Sequence, residues 1–177
     1  MPKDNLPIHV SATRFAENAT QLHGSLSVSA MPRLCSSLFS EAGEVEVAFQ
    51  FGVDEQKTRF VEAQYATVLV LQCQRCLEAF EYRIAGDVNY GMVDNEARLK
   101  KLSDRYEPFL VVDDTVVLQD LIEEELIISL PLVPKHDLEQ CKASLPIVAA
   151  FKDKEQQVVK ENPFKVIETL KTKPKQE

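Results

Sequence analysis

The sequence predicts an α+β protein in which an antiparallel β-sheet packs against a few helices. In the middle of the chain, apolar and polar residues alternate with a period of two, which is typical of half-buried strands. No helix-length crossover separates these segments, so consecutive strands are expected to pair antiparallel rather than in a doubly wound sheet. The composition, with 45% hydrophobic and 27% charged residues, is that of an ordinary globular protein.

Short elements are predicted at the start of the chain. In order, they are a strand at 6–10, a helix from Ser11 to about Ala19, a strand at 22–28 and a helical segment at 29–40. Ser11 favours a helix start because its side chain can accept a hydrogen bond from a first-turn N–H group. Met31, Leu34 and Leu38 are spaced to share one inward-facing side of a helix.

The central strands are predicted from alternation and from β-branched and aromatic residues. They cover residues 45–51, 60–72 and 80–88. A polar turn at residues 54–57 has a length that suits a hairpin between the first two. The bend between the second and third contains Cys73 and Cys76.

The second half of the chain predicts a polar loop at residues 94–108, a short strand at 109–112 and a helix from about Val117 to Leu130. Pro131 ends this helix because proline cannot continue the hydrogen-bond ladder. At about 100° per residue, the apolar residues form one wide stripe. These are Leu118, Leu121, Ile122, Leu126 and Ile128.

One carboxylate, Glu125, falls inside that stripe, whereas Glu123 and Glu124 fall toward its edges. Glu125 is therefore the candidate buried carboxylate. A buried carboxylate needs an arginine, backbone N–H groups or a neighbouring site as partner, and structural anchoring is favoured over catalysis.

The net charge of −8 disfavours a broad electrostatic interface with RNA or DNA, which requires clustered Lys and Arg. Residues 104–125 carry eight acids and one arginine. This window predicts a solvated acidic face, with a partner surface as the functional alternative. The candidate surface residues are Asp113, Asp114, Glu123 and Glu124. An acidic surface favours a basic protein or a ribonucleoprotein as partner over naked RNA.

Domain organisation is predicted as one α+β domain over residues 1–150, followed by a polar linker and a short C-terminal docking helix within residues 151–177. Asn162 is a suitable N-cap and Pro163 suits the first helical position. The tail is rich in lysine, and residues 152–177 carry net charge +2, which leaves −10 on residues 1–151.

A cytoplasmic location is expected, because the N-terminus lacks the apolar core of an export signal. The longest run without charge, residues 126–134, is far shorter than the roughly 20 residues needed to span a bilayer. No membrane association is therefore expected. With five glycines and no Gly-rich phosphate loop, the sequence carries no catalytic signature, and we expect no enzyme activity.

The residues with the most chemistry are two pairs, Cys73 with Cys76 and His136 with Cys141. They form a C-x2-C motif and, after 59 intervening residues, an H-x4-C motif. Three Cys and one His would make a closed structural zinc site. The residues leave two other interpretations open: a redox dithiol at Cys73 and Cys76, with Arg75 favouring a thiolate, or cysteines with no special role.

Taken in order, several motifs resemble the bacterial YceD family, whose members are known as large ribosomal RNA subunit accumulation proteins. The motifs are Cys73–Cys76, Tyr106–Pro108, Glu125–Pro134, His136 with Asp137, Cys141 and Asn162–Phe164. The resemblance spans residues 6–173 and is close from Tyr65 onward. It implies a cytoplasmic, non-catalytic factor needed for synthesis, processing or stability of the 23S ribosomal RNA, and it supplies no catalytic residues. The alternative function is a cytosolic thiol-redox module or a zinc-stabilised adaptor.

Overall fold

The computed structural model describes residues 6–99, 102–137 and 140–141. All of them belong to one compact unit, residues 1–141. The linker and docking helix predicted within residues 151–177 lie outside the described residues.

The described residues form strands, several short helices and one longer helix near the end of the described part of the chain. In chain order the elements are β1 His9–Ser11, α1 Ala12–Glu17, β2 Gln21–Ser27, a 3-10 turn at Val28–Ala30, α2 Pro32–Cys35, β3 Glu44–Val53, β4 Arg59–Gln72, β5 Ala79–Val93, α3 Glu96–Leu99, β6 Glu107–Leu110, β7 Thr115–Val117 and α4 Leu118–Ser129. No helix among them is long and apolar enough to cross a membrane.

The main sheet has the strand order β2-β3-β4-β5-β6. The first four strands form an antiparallel meander, and the short connections from β3 through β5 pair as predicted. β6 departs from that prediction, since it pairs parallel to β5 at the edge of the sheet. A second, two-stranded sheet joins β1 to β7 in antiparallel register. The predicted fold class, an α+β protein with a mainly antiparallel sheet, is confirmed.

The core lies on one face of the main sheet. The alternating residues Val45, Val47, Phe49 and Phe51 of β3 are all buried there, which confirms the period-two prediction. Helix α4 adds Leu118, Leu121, Ile122 and Leu126 to the same core.

Gly86 of β5 permits a close approach of a tyrosine side chain on this face. It pairs with Tyr65 of β4, and a Cβ atom at residue 86 would lie 2.7 Å from the Tyr65 hydroxyl oxygen. That distance is too short for a real contact, so any larger residue at position 86 would displace the Tyr65 side chain. The Tyr65 hydroxyl is thereby left free to reach Ser129 at the end of α4, 3.2 Å away.

Three details of the predicted elements were wrong. The polar loop predicted at 94–108 contains α3 and the start of β6, and the helical segment predicted at 29–40 forms only the 3-10 turn and α2. Ile128, placed in the apolar stripe by periodicity, has 73% of its surface exposed. Periodicity gives the direction of a side chain but not how far neighbouring elements extend to cover it.

Candidate metal centre

The two motifs separated by 59 residues meet in space. The bend between β4 and β5 carries Cys73 and Cys76, and the segment after α4 carries His136 and Cys141. One ligand atom from each of these four side chains lies within 4.8 Å of all the others, and we call this group the Cys3His cluster. Cys73 and Cys141 are buried, whereas Cys76 and His136 are half-buried.

Backbone hydrogen bonds shape the bend that presents the two cysteines. The N–H of Cys73 donates to the carbonyl of Glu78 over 2.9 Å, and the N–H of Leu77 donates back to the carbonyl of Cys73 over 2.8 Å. Leu77 has a φ of 64°, the left-handed conformation that closes such a turn. The N–H of Gln74 donates to the carbonyl of Pro134 over 2.9 Å, which fastens the bend to the segment carrying His136.

Arg75, inside the C-x2-C motif, holds the other two ligands from its position between the cysteines. Its Nε donates to Sγ of Cys141 over 2.8 Å, and its Nη2 donates to the carbonyl of His136 over 2.9 Å. A fixed guanidinium fork is well suited to bridge two acceptors in this way. Arg75 therefore connects both motifs and places a positive charge beside the sulfur atoms.

His136 is oriented by contacts on its edge and on its ring face. Its Nε2 lies 3.0 Å from the carbonyl oxygen of Gln140 and 3.6 Å from Sγ of Cys76. Its ring stacks on Phe80 of β5, with 5.5 Å between ring centroids. A ligating histidine commonly donates its second ring N–H to a backbone carbonyl, which matches the contact with Gln140.

The environment shifts the pKa values of two thiols of the cluster in opposite directions. Burial alone would raise the pKa of Cys73, but backbone N–H groups of Cys76, Arg75 and His136 donate hydrogen bonds and lower that pKa to about 6. Burial and the adjacent thiols of Cys73 and Cys141 raise the pKa of Cys76. Thiolates this close repel one another, so a cation at their centre would favour their deprotonated forms.

The donor set fits a metal ion that prefers sulfur and imidazole. Zinc–sulfur bonds of about 2.3 Å in a tetrahedron place ligand atoms about 3.8 Å apart. The upper separation of 4.8 Å in the cluster is near that value, so small side-chain adjustments would complete a site. Four protein ligands close a tetrahedral site and leave no position for substrate, which is the arrangement of structural rather than catalytic centres.

The structure corrects the burial predicted for the acids of α4. Glu123, not Glu125, is the buried carboxylate, with 3% of its surface exposed. It accepts hydrogen bonds from the backbone N–H groups of Arg33 and Leu34, at 2.7 Å and 3.1 Å, and from Arg33 Nε at 3.0 Å. Glu123 therefore anchors α2 and contributes little to an exposed partner surface.

The error has a physical cause. Helix α2 packs on the flank of α4 that carries Glu123, and the sequence does not reveal which flank a four-residue helix will cover. Glu125 is half-buried, and the Tyr90 hydroxyl donates a hydrogen bond to it. Burial, together with this hydrogen bond to Glu125, raises the pKa of Tyr90.

The remaining acids of the predicted partner surface are exposed. They are Asp113, Asp114 and Glu124. Asp114 also has an internal role, because it accepts hydrogen bonds from the backbone N–H of Thr13 and from the side chains of Thr13 and Ser11 at the start of α1. Ser11 is the N-cap of α1, as predicted.

Sequence reasoning missed several residues that support the site. Phe80 was assigned to a strand face without a role beside His136, and the backbone acceptors of Pro134 and Gln140 leave no signal in a sequence. Arg33, which pairs with Glu123, was also not identified.

Together, the fold and the cluster define an α+β protein with a Cys3His ligand set able to hold a structural metal ion. A family model described as "Large ribosomal RNA subunit accumulation protein YceD" matches residues 61–171. The protein of that name from Haemophilus influenzae is 30% identical over 174 residues, which cover 98% of this chain and all of the relative. The chain belongs to the YceD family. Comparison with solved structures gives no significant match.

Proposed function

We propose that this protein is a non-catalytic cytoplasmic factor that supports accumulation of the 23S ribosomal RNA of the large subunit. The observation that carries the proposal is the similarity to the Haemophilus influenzae protein along nearly the full length of both chains. The relative's name describes an accumulation factor rather than an enzyme. The closed donor set of the Cys3His cluster agrees with a structural role for that site.

The cluster is proposed to hold zinc through Cys73, Cys76, His136 and Cys141. In this arrangement, Nε2 of His136 carries the proton and donates to the carbonyl of Gln140, which leaves Nδ1 as the ligand atom. Zinc would supply folding free energy by joining the β4–β5 bend to the segment after α4.

The proposed partner is a basic protein or ribonucleoprotein involved in ribosomal RNA synthesis or processing. The body of the chain has net charge −10 over residues 1–151, which would repel RNA phosphates and attract basic proteins. Asp113, Asp114 and Glu124 are exposed members of the acidic window. Retention of RNA after protein partners are removed with high salt would contradict this assignment.

The functional test is complementation of a Haemophilus influenzae strain that lacks its YceD relative. We expect a reduced ratio of 23S to 16S ribosomal RNA in the deletion strain and restoration when this chain is expressed. An unchanged ratio in the deletion strain, or no restoration by well-expressed protein, would contradict the proposal.

A thiol-redox function is the second candidate, and the lowered pKa of Cys73 is the observation that favours it. Burial argues against it, because Cys73, the thiol with the lowered pKa, has no exposed surface for an oxidant to reach. Reversible oxidation of the purified protein at Cys73 and Cys76, in the absence of bound metal, would support the redox function over the structural one.

A further inference from the structure

Strand β2 forms an edge of the main sheet and, among the described residues, pairs with β3 alone. Its seven residues include no Asp, Glu, Lys, Arg or Pro. Sheet edges are usually protected by charge, proline or shortness, because exposed backbone N–H and C=O groups can pair with another chain. The opposite edge, β6, has these features: four residues that include Glu107 and Pro108. β2 has none of them.

The hydrogen-bond pattern shows which backbone groups of β2 face outward. At one end, the N–H of Phe51 donates to the carbonyl of Thr20 over 2.9 Å, and at the other the N–H of Val28 donates to the carbonyl of Gly43 over 3.1 Å. Because pairing alternates along an antiparallel ladder, the even-numbered residues of β2 bond to β3. The odd-numbered residues direct their backbone groups toward the open edge. These are Gln21, His23, Ser25 and Ser27.

The side chains along this edge specify what would fit beside it. On the outer face, Ser25 lies opposite Glu46 of β3. Strands are about 4.8 Å apart, and a serine is short, so a lysine or arginine of an added strand could reach across Ser25 to Glu46. On the inner face, Leu22 and Leu26 pack against the core but are only half-buried. They would accept apolar residues at alternate positions of the added strand.

We propose that β2 accepts an extended segment of a basic protein as an additional strand, with Lys or Arg on the outer face and apolar residues on the inner face. The basic character of the partner rests on the proposed function. A second copy of this chain fits less well, because residues 1–151 carry net charge −10 and two copies would repel each other.

The first test uses a fluorescein-labelled nine-residue peptide of alternating Lys and Val as the probe for full-length protein, with the dissociation constant measured by fluorescence anisotropy. Ser25→Pro removes one N–H that faces the open edge, and proline is tolerated at that position of an edge strand. We expect Ser25→Pro to weaken binding about tenfold and Ser25→Ala to leave it within about twofold. Slower hydrogen exchange of the Ser25 amide in the wild-type complex would locate the peptide on β2.

A second variant covers the case in which Ser25→Pro does not fold. Glu46→Lys keeps the backbone of β2 intact. We expect this variant to bind the Lys-Val peptide more weakly than wild type does, and to bind a matched Glu-Val peptide more tightly. Equal affinities for wild type, Ser25→Pro and Glu46→Lys would overturn the proposal. A wild-type dimer that Ser25→Pro dissociates would assign the edge to a second copy and would overturn it as well. The peptide assay does not involve ribosomal RNA, so its failure would leave the 23S measurement unaffected.

Discussion

Nε of Arg75 lies 2.8 Å from Sγ of Cys141, a residue 66 positions away in the chain. With a divalent ion bound, three thiolates would leave one net negative charge, which this guanidinium would compensate. The arginine between the two cysteines of the C-x2-C motif thus contributes to the electrostatics of the site and to its geometry.

Replacing Arg75 tests that contribution. We expect Arg75→Gln to weaken zinc binding by roughly tenfold or more, because residues that orient metal ligands typically contribute 10–100-fold to affinity. Competition with a chromophoric chelator measures the zinc affinity. The matched control is Arg83→Gln, which changes an exposed arginine of β5. Equal zinc affinities for Arg75→Gln and the control would show that the Arg75 contacts are dispensable.

The buried acid of α4 gives a prediction about stability. Glu123→Gln cannot satisfy all three donors from Arg33 and Leu34, so we expect the free energy of unfolding to fall by about 2–4 kcal/mol. Glu124→Gln changes an adjacent side chain that is 60% exposed. We expect it to change the free energy of unfolding by less than about 0.5 kcal/mol. Urea unfolding of both variants provides the comparison, and similar losses would refute the anchoring role.

The same residue predicts a pH dependence. Burial alone would raise the pKa of Glu123, but the N–H groups of Leu34 and Arg33 and the Arg33 side chain hold it below its usual 4.5. A carboxyl whose pKa is lowered in the folded state stabilises the protein at pH values above its unfolded-state pKa. That contribution is lost as the pH falls through the folded-state pKa. Unfolding free energy should therefore decline below about pH 4.5. The decline should be shallower in Glu123→Gln, and parallel curves for the two proteins would contradict this assignment.

Asp114 is expected to stabilise the start of α1, to which it is bound through Thr13 and Ser11. Asparagine tolerates the φ of 54° at this position, so Asp114→Asn removes only the charge and one acceptor. We expect this substitution to lower the free energy of unfolding by about 1 kcal/mol. Asp113→Asn, at a neighbouring φ of 51°, is the control and should be nearly neutral. Thermal unfolding followed by circular dichroism distinguishes them, and equal midpoints would argue against the helix-capping role.

Much of the fold follows from local patterns in the sequence. The alternation in β3, the short turns that connect β3 to β4 and β4 to β5, and Pro131 after α4 each act within a few residues, so the sequence alone predicts them. The parallel pairing of β6 depends instead on how the chain returns along β5 after α3, which no local pattern encodes. The buried carboxylate was mispredicted for the same reason. Helical periodicity selected Glu125 as the buried acid of α4, but the packing of α2 buries Glu123 instead.

The sequence identified the four residues that meet in the Cys3His cluster, because thiols and imidazole in paired spacings suggest metal binding. Their surroundings were not. The contact of Phe80 with His136 and the bond from Gln74 to the carbonyl of Pro134 join segments far apart in the chain. Such contacts depend on tertiary packing rather than on residue spacing.

The zinc site proposed for Cys73, Cys76, His136 and Cys141 can be tested by measuring the metal content of the protein. Elemental analysis of untagged protein, purified without chelator, tests it most directly when compared with a Cys73→Ser/Cys76→Ser double variant. We expect about one zinc per wild-type chain and little in the variant, because a four-ligand site would lose two thiolates. Folded wild-type protein without zinc, with its cluster thiols free to react, would contradict it.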